Sequence, residues 1–106
     1  MNQEKIQEMQ FLEQNLQNML MQKQSFQMEL SETQSALTEI EKSDDDVFKI
    51  IGQLMIKTDK ETLKKELSTK KEILNKRLNA IEKQENSLTE QLEKTREDMM
   101  NSTEKK

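Results

Sequence analysis

Two long stretches of apolar residues spaced by three and four flank twelve residues that break this period around the chain's only glycine, and no proline interrupts them. In the first stretch Met9, Leu12, Leu16, Met19, Lys23, Phe26, Leu30, Thr33, Leu37 and Ile40 alternate steps of three and four. Eight of these ten are apolar, the a/d pattern of a coiled-coil seam. In the second, Leu67, Lys71, Leu74, Leu78, Ile81, Glu85, Leu88, Leu92, Thr95 and Met99 repeat it with seven apolar. Each stretch predicts a helix of roughly 60 Å at the helical rise per residue.

The expected boundaries are a helix over 1–43, a turn and hairpin over 44–59, and a helix over 60–106, together one structural domain. Ser43-Asp44-Asp45-Asp46 suits a turn, because short polar side chains compete for backbone hydrogen bonds. Thr58-Asp59-Lys60-Glu61 reads as a capping box with Thr58 as the cap, and Asp59 as the second candidate.

Composition agrees with an elongated helical protein. The chain has 106 residues, 36% charged and 31% hydrophobic, too few apolar groups for a conventional core. With no histidine and no cysteine there is no imidazole base, thiol nucleophile, disulfide or zinc ligand set. No apolar run reaches membrane-spanning length, and no signal-peptide pattern is present, so a soluble cytoplasmic chain is expected. Net charge is −4, which argues against nucleic acid. Residues 1–46 carry ten acidic groups and three lysines, whereas residues 60–106 carry twelve basic groups and ten acidic ones. Opposite net charge favours the two segments lying together, although exposed pairs contribute little each.

The centre changes period. Val47-Phe48-Lys49-Ile50-Ile51-Gly52-Gln53-Leu54-Met55-Ile56-Lys57-Thr58 fits a β-hairpin with a two-residue type II′ loop at Gly52-Gln53. In that register Ile51 faces Leu54, Lys49 faces Ile56 and Val47 faces Thr58 on one side. Phe48, Ile50, Met55 and Lys57 share the other, so both faces are largely apolar. A lone two-stranded ribbon is marginal in water, and its edges invite further strands. Val47, Phe48, Ile50, Ile51, Gly52, Leu54, Met55 and Ile56 are therefore expected to assemble with hairpins of other chains.

A hairpin returns the chain, so the two helices are expected to run antiparallel with both termini at the far tip. Leu16 then sits near Leu88, and Met99 near Lys5. Seven of the eight methionines, Met1 among them, lie in the first 28 or last eight residues. Phe11, Leu20 and Met21 fall off the seam and lack an obvious partner. Methionine is flexible and polarizable and suits surfaces that accept varied apolar partners. Apolar groups at such a tip could hold unfolded polypeptide, with weak contacts from several arms adding up.

The order of helix, hairpin and helix, with DDDVFKIIGQLMIKTDKETLKKEL at its centre and KKEILNKRLNAIEKQE following, resembles the prefoldin beta subunits, most closely the archaeal type. Residues 44–85 carry most of that resemblance. Many relatives place proline just after the glycine, where this chain has Gln53. The resemblance implies a hexamer of two alpha-type and four beta-type subunits, its hairpins closing a β-barrel platform from which the coiled coils hang. It implies an ATP-independent holding chaperone that needs no cofactor and passes unfolded clients to a group II chaperonin. On this chain the client-binding candidates are Met9, Phe11, Leu12, Leu20, Met21, Met99 and Met100.

Plainer readings stand beside these. Met9, Met19 and Met99 also serve as seam fillers, and Met21 and Met100 lie off the seam. Asp44-Asp45-Asp46 lacks the spaced loop of a calcium site and reads as a solvated turn. The lysines from Lys60 to Lys76 alternate with Glu61, Glu66 and Glu72, as on a mixed-charge helix face. Lys23 and Lys71 interrupt their seams as register-setting polar positions. A structural coiled-coil tether is the alternative function, but it gives no reason for a hairpin apolar on both faces. An enzyme working with Asp and Glu alone lacks a pocket that would raise a carboxylate pKa.

Overall fold

The computed structural model describes residues 3–104. Met1, named above among the methionines, lies outside the described residues. The elements run α1 (Gln3–Lys42), β1 (Val47–Ile51), β2 (Leu54–Thr58) and α2 (Lys60–Glu104).

The chain divides into two compact units. The hairpin unit is Phe26–Arg77, which holds both strands and the adjoining parts of the two helices. The terminal unit combines Met1–Ser25 with Leu78–Lys106. Within each unit α1 and α2 pack antiparallel along the expected seams. Every a/d position named above is buried or half-buried, on both helices.

In the terminal unit the core is Leu12, Leu78, Ile81 and Leu92. Its register follows from cross-helix pairs: Lys5 Nζ lies 3.5 Å from Asp98 Oδ2, and the Thr95 hydroxyl donates to Glu8 Oε1 at 3.5 Å. These pairs fit the expected approach of Lys5 to Met99. In the hairpin unit Leu74 is the most enclosed side chain, at 2% exposure, and Ile40 is also buried. Burying one such side chain contributes about 1.5–3 kcal/mol. Lys64 Nζ lies 4.0 Å from Glu41 Oε1, and the Arg77 guanidinium sits 5.8 Å from the Phe26 ring centroid, a cation–π contact at the seam's edge. Seam Thr33, buried in this unit, donates its hydroxyl to the Glu29 carbonyl at 2.7 Å, so the polar atom is satisfied within its own helix.

The helices end where local chemistry requires it. Ser43 N–H donates to the carbonyls of Glu39 and Ile40 at 3.1 and 3.3 Å, which tightens the last turn of α1. Ser43 Oγ then accepts from Asp45 N–H at 3.2 Å, turning the chain. Lys60 Nζ donates to the Ser43 carbonyl at 2.8 Å and ties the two helix ends together across the hairpin's base. At the start of α2 the cap is Asp59: its Oδ2 accepts from Thr62 N–H at 3.2 Å and from the Thr62 hydroxyl at 3.1 Å. Thr58 belongs to β2, where extended backbone and strand pairing occupy it, so the second candidate of the sequence reading is the cap.

The strands pair antiparallel with Val47 opposite Thr58, Phe48 opposite Lys57, Lys49 opposite Ile56, Ile50 opposite Met55 and Ile51 opposite Leu54. This is the expected register, closed by a two-residue loop. Among the described residues Gly52 alone has positive φ, at 61°, so the loop has the positive-then-negative order of a type II′ turn.

Candidate interaction surfaces

The ribbon exposes most of the groups expected to assemble. Phe48, Ile50, Ile51, Leu54, Met55 and Ile56 are all exposed, Ile50 at 70%, whereas Val47 is half-buried. Among the described residues the sheet has only these two strands, so each strand keeps one unpaired edge. The two lysines of the ribbon are engaged: Lys49 Nζ reaches Glu66 Oε2 at 2.9 Å, and Lys57 Nζ reaches Asp46 Oδ2 at 3.3 Å. Apart from these two lysines, the ribbon's side chains are largely apolar on both faces.

The terminal unit separates the seven helix candidates into three groups. Phe11, Leu20, Met21 and Met100 are exposed, with Phe11 at 67% and Met21 at 68%. Met9 and Met99 are half-buried at seam positions. Leu12 is 5% exposed and belongs to the core, because a d position turns its side chain onto α2. It has no surface left to offer a partner. Two further side chains of the hairpin unit are exposed: Met28, one of the seven methionines counted above but outside the client-binding candidates, and Ile73, which sequence reasoning missed. Both stand off the 3,4 pattern, the same signal that singled out Met21.

Seam polarity resolves into specific pairs. Lys23 Nζ lies 3.3 Å from Glu85 Oε1 and 4.0 Å from Glu82 Oε1. Glu85 Oε1 is buried and held by charge proximity, without the alignment of a hydrogen bond. In the hairpin unit Lys71 Nζ donates to Gln34 Oε1 at 2.6 Å. The acidic turn is accompanied by cations: Asp44, Asp45 and Asp46 border a depression shared with Lys57 and Lys60. Among the described residues no group of three or more His, Cys, Asp or Glu is placed to hold a metal ion. Among them, too, no helix is long and apolar enough to cross a membrane.

Helices paired antiparallel and joined by an open-edged apolar ribbon define a two-helix coiled-coil protein with a β-hairpin at its centre. A family profile described as prefoldin subunit matches residues 3–106, and the chain belongs to that family. It is 36% identical over 67 residues to the prefoldin subunit beta of Methanothrix thermoacetophila, a match spanning 61% of this chain and 56% of that relative. Its structure is similar to the crystal structure of the prefoldin beta subunit from Thermococcus strain KS-1, with TM-score 0.87, 38% identity, and coverage of 94% of this chain and 90% of that one. The beta2 subunit of the same strain, at 19% identity and TM-score 0.74 over 82% of this chain and 95% of that one, shares the fold.

Proposed function

We propose that this chain is the beta-type subunit of a cytoplasmic holding chaperone that works without ATP. Its ribbon completes a β-barrel platform with the ribbons of other beta chains and of an alpha-type subunit, two alpha with four beta. Unfolded clients are held at the coiled-coil ends carrying the chain termini and handed to a group II chaperonin. The subunit acts by binding, with neither a catalytic centre nor a cofactor.

The observation that carries this reading is the coexistence of two kinds of apolar exposure in a member of the prefoldin family. Ile50 and its neighbours stand open on a ribbon with unpaired edges, which favours lasting strand-to-strand union. Phe11, Leu20, Met21 and Met100 stand open on helices whose backbone is already satisfied. Such isolated side chains suit contacts that form and break, and several subunits acting together raise their effective concentration.

The test mixes the chain with an alpha-type subunit, then measures native mass and the aggregation of a denatured client together. A hexameric mass with suppressed aggregation, unchanged by addition or removal of ATP, is the expected result. A complex that forms but leaves client aggregation unaffected would support the tether reading instead.

A further inference from the structure

We infer that Lys23 and Glu85 form a register lock that fixes α1 against α2, antiparallel and in this register, over slipped pairings and over pairings of like helices between neighbouring subunits. Both residues occupy a positions, one on each helix of the terminal unit, and they are the charged members of the seam positions named above in that unit. They meet at 3.3 Å, with side chains only 26% and 20% exposed, and Glu82 adds a second carboxylate 4.0 Å from the same ammonium.

A charge pair in a seam selects against alternatives more strongly than it stabilises, because desolvation offsets much of the attraction. Here the alternatives are definite. A slip of one heptad would set Lys23 against Leu78 or Leu92, both buried core residues. The corresponding slip of α1 would set Glu85 against Leu16, leaving a carboxylate in the seam with an apolar neighbour. Parallel pairing of α1 with a second α1 would oppose Lys23 to Lys23, and pairing α2 with a second α2 would oppose Glu85 to Glu85. Only the antiparallel, in-register pairing of α1 with α2 answers both charges. Such discrimination matters most for a chain whose ribbon gathers several copies, since like helices of neighbouring copies are then close enough to pair with each other.

The lock is testable by separating register from stability. The chain has no cysteine, so Glu8→Cys with Thr95→Cys, whose side chains meet at 3.5 Å, reports native register through a short thiol cross-linker. Into that background goes Lys23→Met with Glu85→Leu, which fills the seam with apolar groups and keeps the helices. Helicity measured by circular dichroism should be retained, while the intrachain link is partly lost and interchain dimers appear on a denaturing gel. Lys23→Glu alone should lose the intrachain link further, and Lys23→Glu with Glu85→Lys should recover it. Intrachain linking as complete as the parent's in the apolar variant, or no recovery in the charge-swapped one, would overturn the proposal.

Discussion

The hairpin unit and the terminal unit both expose apolar side chains, yet the exposure differs in kind. On the ribbon, Ile50, Leu54 and Met55 project from strands that each have a bare edge, so exposed side chains and unpaired backbone groups occur together. In the terminal unit, Phe11 and Met21 project from a helix whose N–H and C=O groups are paired internally, and they are separated by polar neighbours such as Gln14 and Asn18. Isolated apolar side chains on a helix are tolerated in water. An exposed residue count therefore says little by itself. Whether the backbone beneath is satisfied decides if a surface must be covered permanently or can remain open.

The hardest test of that difference is Ile50→Lys with Ile56→Lys. Each ribbon loses two apolar side chains, each contributing about 1.5–3 kcal/mol when buried, and gains charges that would have to be desolvated. Static light scattering should show the assembly replaced by free chains. An unchanged mass would break the comparison at its strong end, because it would mean that the ribbon's apolar faces are dispensable for assembly.

A pair of adjacent residues tests the weak end. Leu12→Ala removes a buried seam side chain and should cost about 2–5 kcal/mol in thermal or denaturant unfolding. Phe11→Ala removes an exposed one and should change stability by no more than about 0.5 kcal/mol, while weakening protection of a denatured client. Equal destabilisation by the two would show that Phe11 is packed in solution. Unimpaired protection by the Phe11 variant would remove it from the client surface.

These adjacent residues also show what the sequence made legible. The 3,4 spacing identifies the seam, since every a/d position is buried or half-buried, and period two with Gly52 identifies the ribbon and its register. Both are consequences of backbone geometry, which repeats along the chain. Position near a terminus, however, does not reveal which way a side chain turns: Leu12 and Phe11 are adjacent apolar residues, and only the place of Leu12 in the 3,4 count distinguishes them. The pairing of Lys23 with Glu85 was hidden for a related reason. Each was visible as an interruption of its own seam, but their meeting depends on the relative register of two helices distant in sequence.

A smaller effect is expected at the ribbon's loop. A Cβ added at Gly52 would meet nothing within 4 Å, so any cost of Gly52→Ala comes from holding a non-glycine residue at φ 61°. Holding an L-residue at that sparsely populated turn position costs about 1–3 kcal/mol. The assembly should form with a lower thermal midpoint and the same mass. Loss of assembly would mean that the loop itself contacts a neighbouring subunit, extending the ribbon's interface beyond its strands.

A comparably modest loss of stability is expected at the entry to α2. Asp59→Ala removes the acceptor for Thr62 N–H and for the Thr62 hydroxyl, and cap removal of this kind costs about 0.5–2 kcal/mol. Thr58→Ala leaves that acceptor in place and should be milder, since its hydroxyl is not the cap of the helix. Thermal unfolding of the two variants distinguishes them, and a larger loss for Thr58 would return the cap to the position first suggested by the sequence. The result also sharpens the comparison between the units. A cap sets where α2 leaves the strand, so its loss should lower stability in the hairpin unit without altering the exposed side chains of the terminal unit. Client protection should therefore persist at temperatures where the Asp59 variant remains folded.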